Sequence, residues 1–228
     1  MKDSSTSNPF DAETWALLPD YFEKLPKAVQ IHVWGDADAG QGEQEAQRLA
    51  QTLADRFSQI GAAFFPRRAN YPYYPVIGIF GLDDEEAVDY GVRLIGLPSG
   101  YQMTSLITAI QAVSFQGASL EAATRIRLQG LDHEIRLEVL TSAEDEAGVV
   151  MAKTAFGLAV ASPHIRSFLI MTDVFPMAAV RYSATYLPHM VINSRVHIDG
   201  VMEEEEVLKQ IAKAVESGDQ VVRESGGQ

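Results

Sequence analysis

The chemistry open to this chain is bounded first by a missing element: its 228 residues include no cysteine. Disulfides, thiolate metal sites and thiol nucleophiles are excluded together. What remains for acid–base or metal chemistry is carboxylates and five histidines. The histidines, His32, His133, His164, His189 and His197, show no HxH or HxxxH spacing of the kind that builds a metal site. The acidic runs Glu144, Asp145, Glu146 and Glu203 to Glu206 each precede an apolar-periodic segment. At a helix start, free N–H groups and the dipole favour negative charge by about 0.3 to 1 kcal/mol, so capping accounts for both. The glycine-containing loops GDADAG (residues 35–40) and GLPSG (residues 96–100) match no nucleotide motif, because one lacks a P-loop lysine and the other the G-x-G-x-x-G pattern. No Ser-His-Asp set can be assembled by spacing, and no cofactor is implied.

Charge narrows the partners. Eighteen Lys and Arg against 31 Asp and Glu give a net charge of −13, which repels polyphosphate and anionic lipid. Nucleic acid and membrane are therefore not expected as partners. No apolar run approaches the roughly 20 residues that span a bilayer, and Met1 to Pro9 lacks the pattern of a secretory signal. A cytoplasmic protein is expected.

The elements that must position these residues follow from periodicity. Asp11 or Thr14 can cap a short helix carrying Trp15, Leu17, Leu18, Tyr21 and Phe22. Val29 to Trp34 reads as a strand, and Ala46, Leu49, Leu53, Phe57 and Ile60 as one apolar helix face, with Gly61 as its C-cap. A strand from Ala62 to Phe65 leads through an aromatic, proline-rich loop to Pro75, a hairpin and a helix from Tyr101 to Val113. The second half repeats that order: helix Leu120 to Leu128, strand Glu134 to Leu140, helix Ala147 to Val160, strand Phe168 to Met171 and helix Met177 to Ser183. Pro188, a hairpin turning at Asn193 and Ser194, and helix Glu203 to Val215 complete it. Each half is a βαβ followed by ββα, so its first two strands are parallel and the hairpin extends the sheet antiparallel. Residues 1–9 and 218–228 are expected to be flexible tails.

The run DYGVRLIGLPSGYQMTSLITAIQAVS, Asp89 to Ser114, resembles the end of the first unit in protein disulfide oxidoreductases, or glutaredoxin-like proteins. YLPHMVINSRVHIDGVMEEEEVLKQI, Tyr186 to Ile211, is similar to the proline, hairpin and final helix of their second unit. The resemblance implies an α/β fold of two thioredoxin-like units in tandem, each a mixed sheet flanked by helices: residues 10–115, shortened and without its second helix, and residues 116–217. It also implies a Cys-x-x-Cys at the start of the helix after each unit's first strand. Here Glu144, Asp145, Glu146 and Ala147 hold that place in the second unit, and the GDADAG loop holds it in the first.

Three site readings follow from the resemblance. One joins Glu144 and Asp145 with His189, as ligands or as an acid–base pair for cysteine-independent chemistry, because the proline loop abuts that helix start in such folds. Another makes the edges at Tyr74-Pro75 and Leu187-Pro188-His189 docking sites, because the matching prolines are cis and leave the preceding backbone free to pair with an extended peptide. The third takes Phe64, Phe65, Tyr71, Tyr73 and Tyr74 either as an exposed binding surface or, as favoured, as packing that replaces the missing helix. The leading functional expectation is a redox-inactive binding or scaffold module with a protein or peptide partner, self-association included. Because carboxylates cannot replace a thiolate in disulfide attack, turnover of a disulfide substrate by a thiol reductant is expected to equal the protein-free blank. Catalysis by the pure protein above that blank would contradict this expectation.

Overall fold

A computed structural model describes residues 9–84 and 86–225; of the tails expected at residues 1–9 and 218–228, residues 1–8 and 226–228 lie outside them. In chain order the elements are α1 (Ala12–Phe22), β1 (Val29–Trp34), α2 (Gln41–Arg56), β2 (Ile60–Phe65), β3 (Val76–Asp83), β4 (Glu86–Ile95), α3 (Gln102–Ser114), α4 (Ala122–Leu128), β5 (Ile135–Thr141), α5 (Glu146–Ala161), β6 (Ile165–Met171), α6 (Pro176–Tyr182), β7 (His189–Ile192), β8 (Val196–Asp199) and α7 (Glu204–Ser225). The Asp11 carboxylate caps α1, accepting from Thr14 N at 2.8 Å and Thr14 Oγ1 at 2.7 Å.

Two boundaries depart from the periodic pattern. α2 ends at Arg56, and Phe57 turns extended (φ −120°, ψ 113°). Its ring buries edge-on against Phe22, with centroids 5.2 Å apart. Ile60 then opens β2, and Gly61 lies inside that strand instead of capping a helix; the apolar spacing continues across a turn that tertiary packing imposes. The second departure is α7, which runs to Ser225, so most of the stretch expected to be a flexible tail from residue 218 is helix. Gly218 costs a helix only about 1 kcal/mol relative to alanine, and no proline follows to stop it.

All eight strands form one sheet in the order β2-β1-β3-β4-β6-β5-β7-β8. Within each half the first two strands are parallel and the hairpin is antiparallel, giving the same order twice. The halves meet where β4 runs parallel to β6, from Val92 opposite Ser167 to Ile95 opposite Ile170. Alternation then assigns every strand residue to one of two faces. Val29, Ile31, Val33, Ile77, Ile79, Val92, Leu94, Leu137, Val139 and Leu169 face the larger core, where residues of α1, α2, α3, α4, α5 and α7 cover them. Trp34, Val76, Phe80, Ile95, Leu140, Phe168 and Ile170 face the opposite side.

That second face has one helix, α6, and in the first half the segment between β2 and β3 takes a helix's place. Phe65, Tyr71, Tyr73 and Tyr74 pack partly buried on it. Tyr73 stacks on Phe175 across the two halves at 4.7 Å, whereas Phe64 stays 42% exposed. Beneath these rings Arg93 is 4% exposed, its guanidinium 5.3 Å from the Trp34 ring and 4.8 Å from that of Phe80. It donates to Tyr71 Oη at 3.1 Å, Val92 O at 2.9 Å and Asp89 Oδ2 at 2.5 Å. His32, stacked on Phe80 at 4.0 Å, is held below the ordinary histidine value by burial and by the Arg93 charge.

Burial alone would raise the Asp89 carboxyl, but hydrogen bonding and attraction to Arg93 outweigh it and hold Asp89 below the usual carboxylate range. A depressed folded value means that this stabilisation is complete above the unfolded value near 4 and is lost as pH falls through the folded one. Asp89→Asn should cost about 1 to 3 kcal/mol at neutral pH, a range reduced for the partial exposure of Asp89. Urea unfolding of this variant should show a smaller loss of stability between neutral and acid pH than the parent does.

Candidate functional site

The start of α5, where the resemblance places a Cys-x-x-Cys, is closed by its own side chains. The Asp145 carboxylate accepts from Gly148 N at 3.0 Å and from Thr141 Oγ1 at 2.9 Å, an N-cap that uses both oxygens. Glu144 and Glu146 are exposed, and Ala147 is half-buried.

The first half ties down the loop before this helix. Tyr101 N donates to Ala143 O at 2.9 Å, and the fully buried Gln102 donates through Nε2 to Ser142 O at 3.1 Å and Asp145 O at 2.7 Å. Gly100 makes this approach possible, since its φ is +54° and a Cβ there would lie 2.3 Å from Ala143 O. From the other side Thr172 donates to Thr141 O through both N and Oγ1, each at 2.8 Å. The corresponding helix start in the first half is also closed. Glu43, its side chain 4% exposed, accepts from Asp36 N at 2.6 Å and Arg67 Nε at 3.0 Å. The Arg67 hydrogen bond is the main cause holding Glu43 below the usual carboxylate range, the Asp36 N–H adds to it, and burial opposes both. Glu43 was not singled out in the sequence, where its place in a first helical turn is the one signal that could have found it.

The set Glu144, Asp145 and His189 is not brought together. His189 is 4% exposed, and its ring nitrogens engage the hairpin, Nδ1 with Asp199 Oδ1 at 2.7 Å and Nε2 with His197 Nδ1 at 2.9 Å. His189 is therefore not available to a docked peptide or to Asp145. The strand register decides this, pairing His189 with Asp199 and His197 with Val191, and a cross-strand neighbour is invisible to spacing along the chain. The turn that sets this register has Asn193 and Ser194 at φ 50° and 57°, with Arg195 N donating to Ile192 O at 3.0 Å. Among the described residues, no group of three or more His, Asp or Glu is arranged to hold a metal ion.

The two proline edges differ. Tyr74-Pro75 and Leu187-Pro188 are both cis. Tyr74 is half-buried, its hydroxyl bonded to Arg68 N at 2.6 Å and its ring beneath Arg67. Pro188 is buried, its carbonyl accepting from Gly200 N at 2.8 Å. Before it the chain is open: Tyr186 is 71% and Leu187 36% exposed. The Leu187 N–H has no partner among the described residues. Leu140 and His189 are the last pair of the β5–β7 ladder, so Leu187 comes just beyond the end of that ladder from which β5 runs on toward α5.

No protein-family model matches the chain. The F component of alkyl hydroperoxide reductase from Pseudomonas aeruginosa is 25% identical over 201 residues, which is 88% of this chain and 37% of that protein. The chain thus spans little more than a third of this relative. Among solved structures, a chain of the alkylhydroperoxide reductase protein AhpF from Enterococcus faecalis superposes with a TM-score of 0.80 at 20% identity, covering 90% of this chain and all of that one. A protein disulfide oxidoreductase from Aeropyrum pernix gives 0.79 at 18% identity, over 91% and 94%. The fold is thioredoxin-like. Its strand order occurs twice along the chain, once in each half of the sheet.

The Gln102 clamp on the thioredoxin-like α5 start can be tested directly. Gln102→Ala removes the shared donor of two carbonyls and should cost about 1 to 3 kcal/mol. Hydrogen exchange at the Asp145 and Gly148 amides should quicken more than at β5.

Proposed function

We propose that this chain is a redox-inactive, thioredoxin-fold binding module of two units, working in the cytoplasm, that holds a protein or peptide partner along the edge at Tyr186 and Leu187. The observation that carries the proposal is the contrast between neighbouring segments at one end of the second half. Where thiol chemistry would need a nucleophile, Asp145 caps the helix and the loop before it is tied down on two sides. Just beyond the end of the β5–β7 ladder, Leu187 offers an N–H that has no partner among the described residues, on an exposed apolar segment, the kind of backbone that gains hydrogen bonds by taking on an extended strand. Glu144, Glu146 and Asp173 are exposed on the adjoining helix start and β6 end, so a partner segment of apolar and basic character is favoured.

Leu187→Pro deletes the one N–H that this residue can donate. Since that N–H has no partner among the described residues, no internal hydrogen bond is lost and the thermal midpoint should be unchanged. Affinity for a partner co-purified from the native cell should fall about three- to tenfold, the worth of one main-chain hydrogen bond at about 0.5 to 1.5 kcal/mol. Unchanged affinity would count against docking at this edge.

A further inference from the structure

The eight-stranded sheet has two free edges, β2 and β8, and they are built differently. β8 has four residues, among them His197 and Asp199. β2 has six, Ile-Gly-Ala-Ala-Phe-Phe, with no charge, no proline and no bulge in its register with β1. Natural edges are usually blunted by short length, charge, proline or a bulge, because a row of unpaired N–H and C=O groups recruits another strand. Only Pro66, just past its end, limits β2.

Which groups are free follows from the ladder. Val29 N donates to Gln59 O and Gly35 N to Phe65 O, so odd-numbered residues of β2 face β1 and even-numbered ones face outward. Ala62 and Phe64 therefore present both N–H and C=O to the outside, and no partner for them is found among the described residues. The Phe64 side chain is 42% exposed beside them.

We propose that β2 pairs antiparallel with β2 of a second copy, about a two-fold axis perpendicular to the sheet and passing at Ala63. This register sets Ala62 opposite Phe64 of the other copy and Phe64 opposite its Ala62, so each pair exchanges two main-chain hydrogen bonds. Large side chains lie against small ones on one face, and Ala63 meets Ala63 on the other. The nearest cation, Arg67, falls opposite uncharged Gln59, so no like charges face each other along the pairing. The contact is isologous and closes as a dimer. The net charge of −13 opposes association only over the screening length, about 8 Å at physiological ionic strength, and the edge itself carries none of it. A second copy is favoured as occupant because the edge is complementary to itself.

Sedimentation velocity at physiological salt, with amide hydrogen exchange across a concentration series, tests this. A concentration-dependent dimer is expected in which the Ala62 and Phe64 amides slow as the dimer fills. Ala63→Lys sets two ammonium groups face to face on the axis and should give a monomer with parental circular dichroism. If that variant does not fold, Phe64→Lys, at an exposed side chain, replaces it with the same expected result. A parent that is monomeric at every concentration overturns the proposal. So does a dimer whose Ala62 and Phe64 amides exchange freely, or one that survives the folded lysine variant.

Discussion

The parallel pairing of β4 with β6 is the contact on which the rest of the molecule depends. It makes one sheet of two halves, and a sheet has only two faces to cover. Gly91 permits it: its φ is +75°, and a Cβ there would lie 2.8 Å from Ile165 O. The β3–β4 register shifts between Ile79 and Phe80, so β4 bends from pairing with β3 alone to lying between β3 and β6.

From that joint follows the unequal division of labour between the faces. Six of the seven helices contribute to the larger core, and one helix with an aromatic loop serves the other. A loop lacks the internal hydrogen bonds of a helix, and this one is steadied by Arg93 reaching Tyr71 from the sheet and by Tyr74 closing on Arg68. A buried guanidinium needs an anion and acceptors to offset its desolvation, which is the role of Asp89 and the Val92 carbonyl.

The joint also makes the two halves share a site. The start of α3 belongs to the first half and the start of α5 to the second, yet Tyr101 and Gln102 satisfy the carbonyls of the loop that opens α5, with Gly100 allowing the approach. A helix start held this way is rigid and closed, whereas the segment at Tyr186 and Leu187, without such ties, is exposed. The proposed role rests on that difference in backbone satisfaction more than on any side chain.

Much of this was legible in the residues. The absence of cysteine settles the thiol question by composition alone, and alternating apolar residues in Val29 to Trp34 and helical spacing in Ala46 to Leu53 mark their elements because periodicity is a local property. The doubled order of elements, and the loop too short for a helix between Phe65 and Pro75, could be read in the same way. What the chain could not disclose by itself are relations between distant residues. Phe57 and Ile60 leave the helical pattern because Phe22, far along the chain, offers a better contact, and α7 runs on past Gly218 because nothing stops it. His189 is turned away from Asp145 because the hairpin register gives both its nitrogens partners. Glu43 with Arg67, Asp89 with Arg93, and Gln102 with Ser142 are likewise pairings that only the folded sheet could decide, since the energy of a buried polar group depends on which partner the tertiary structure brings to it.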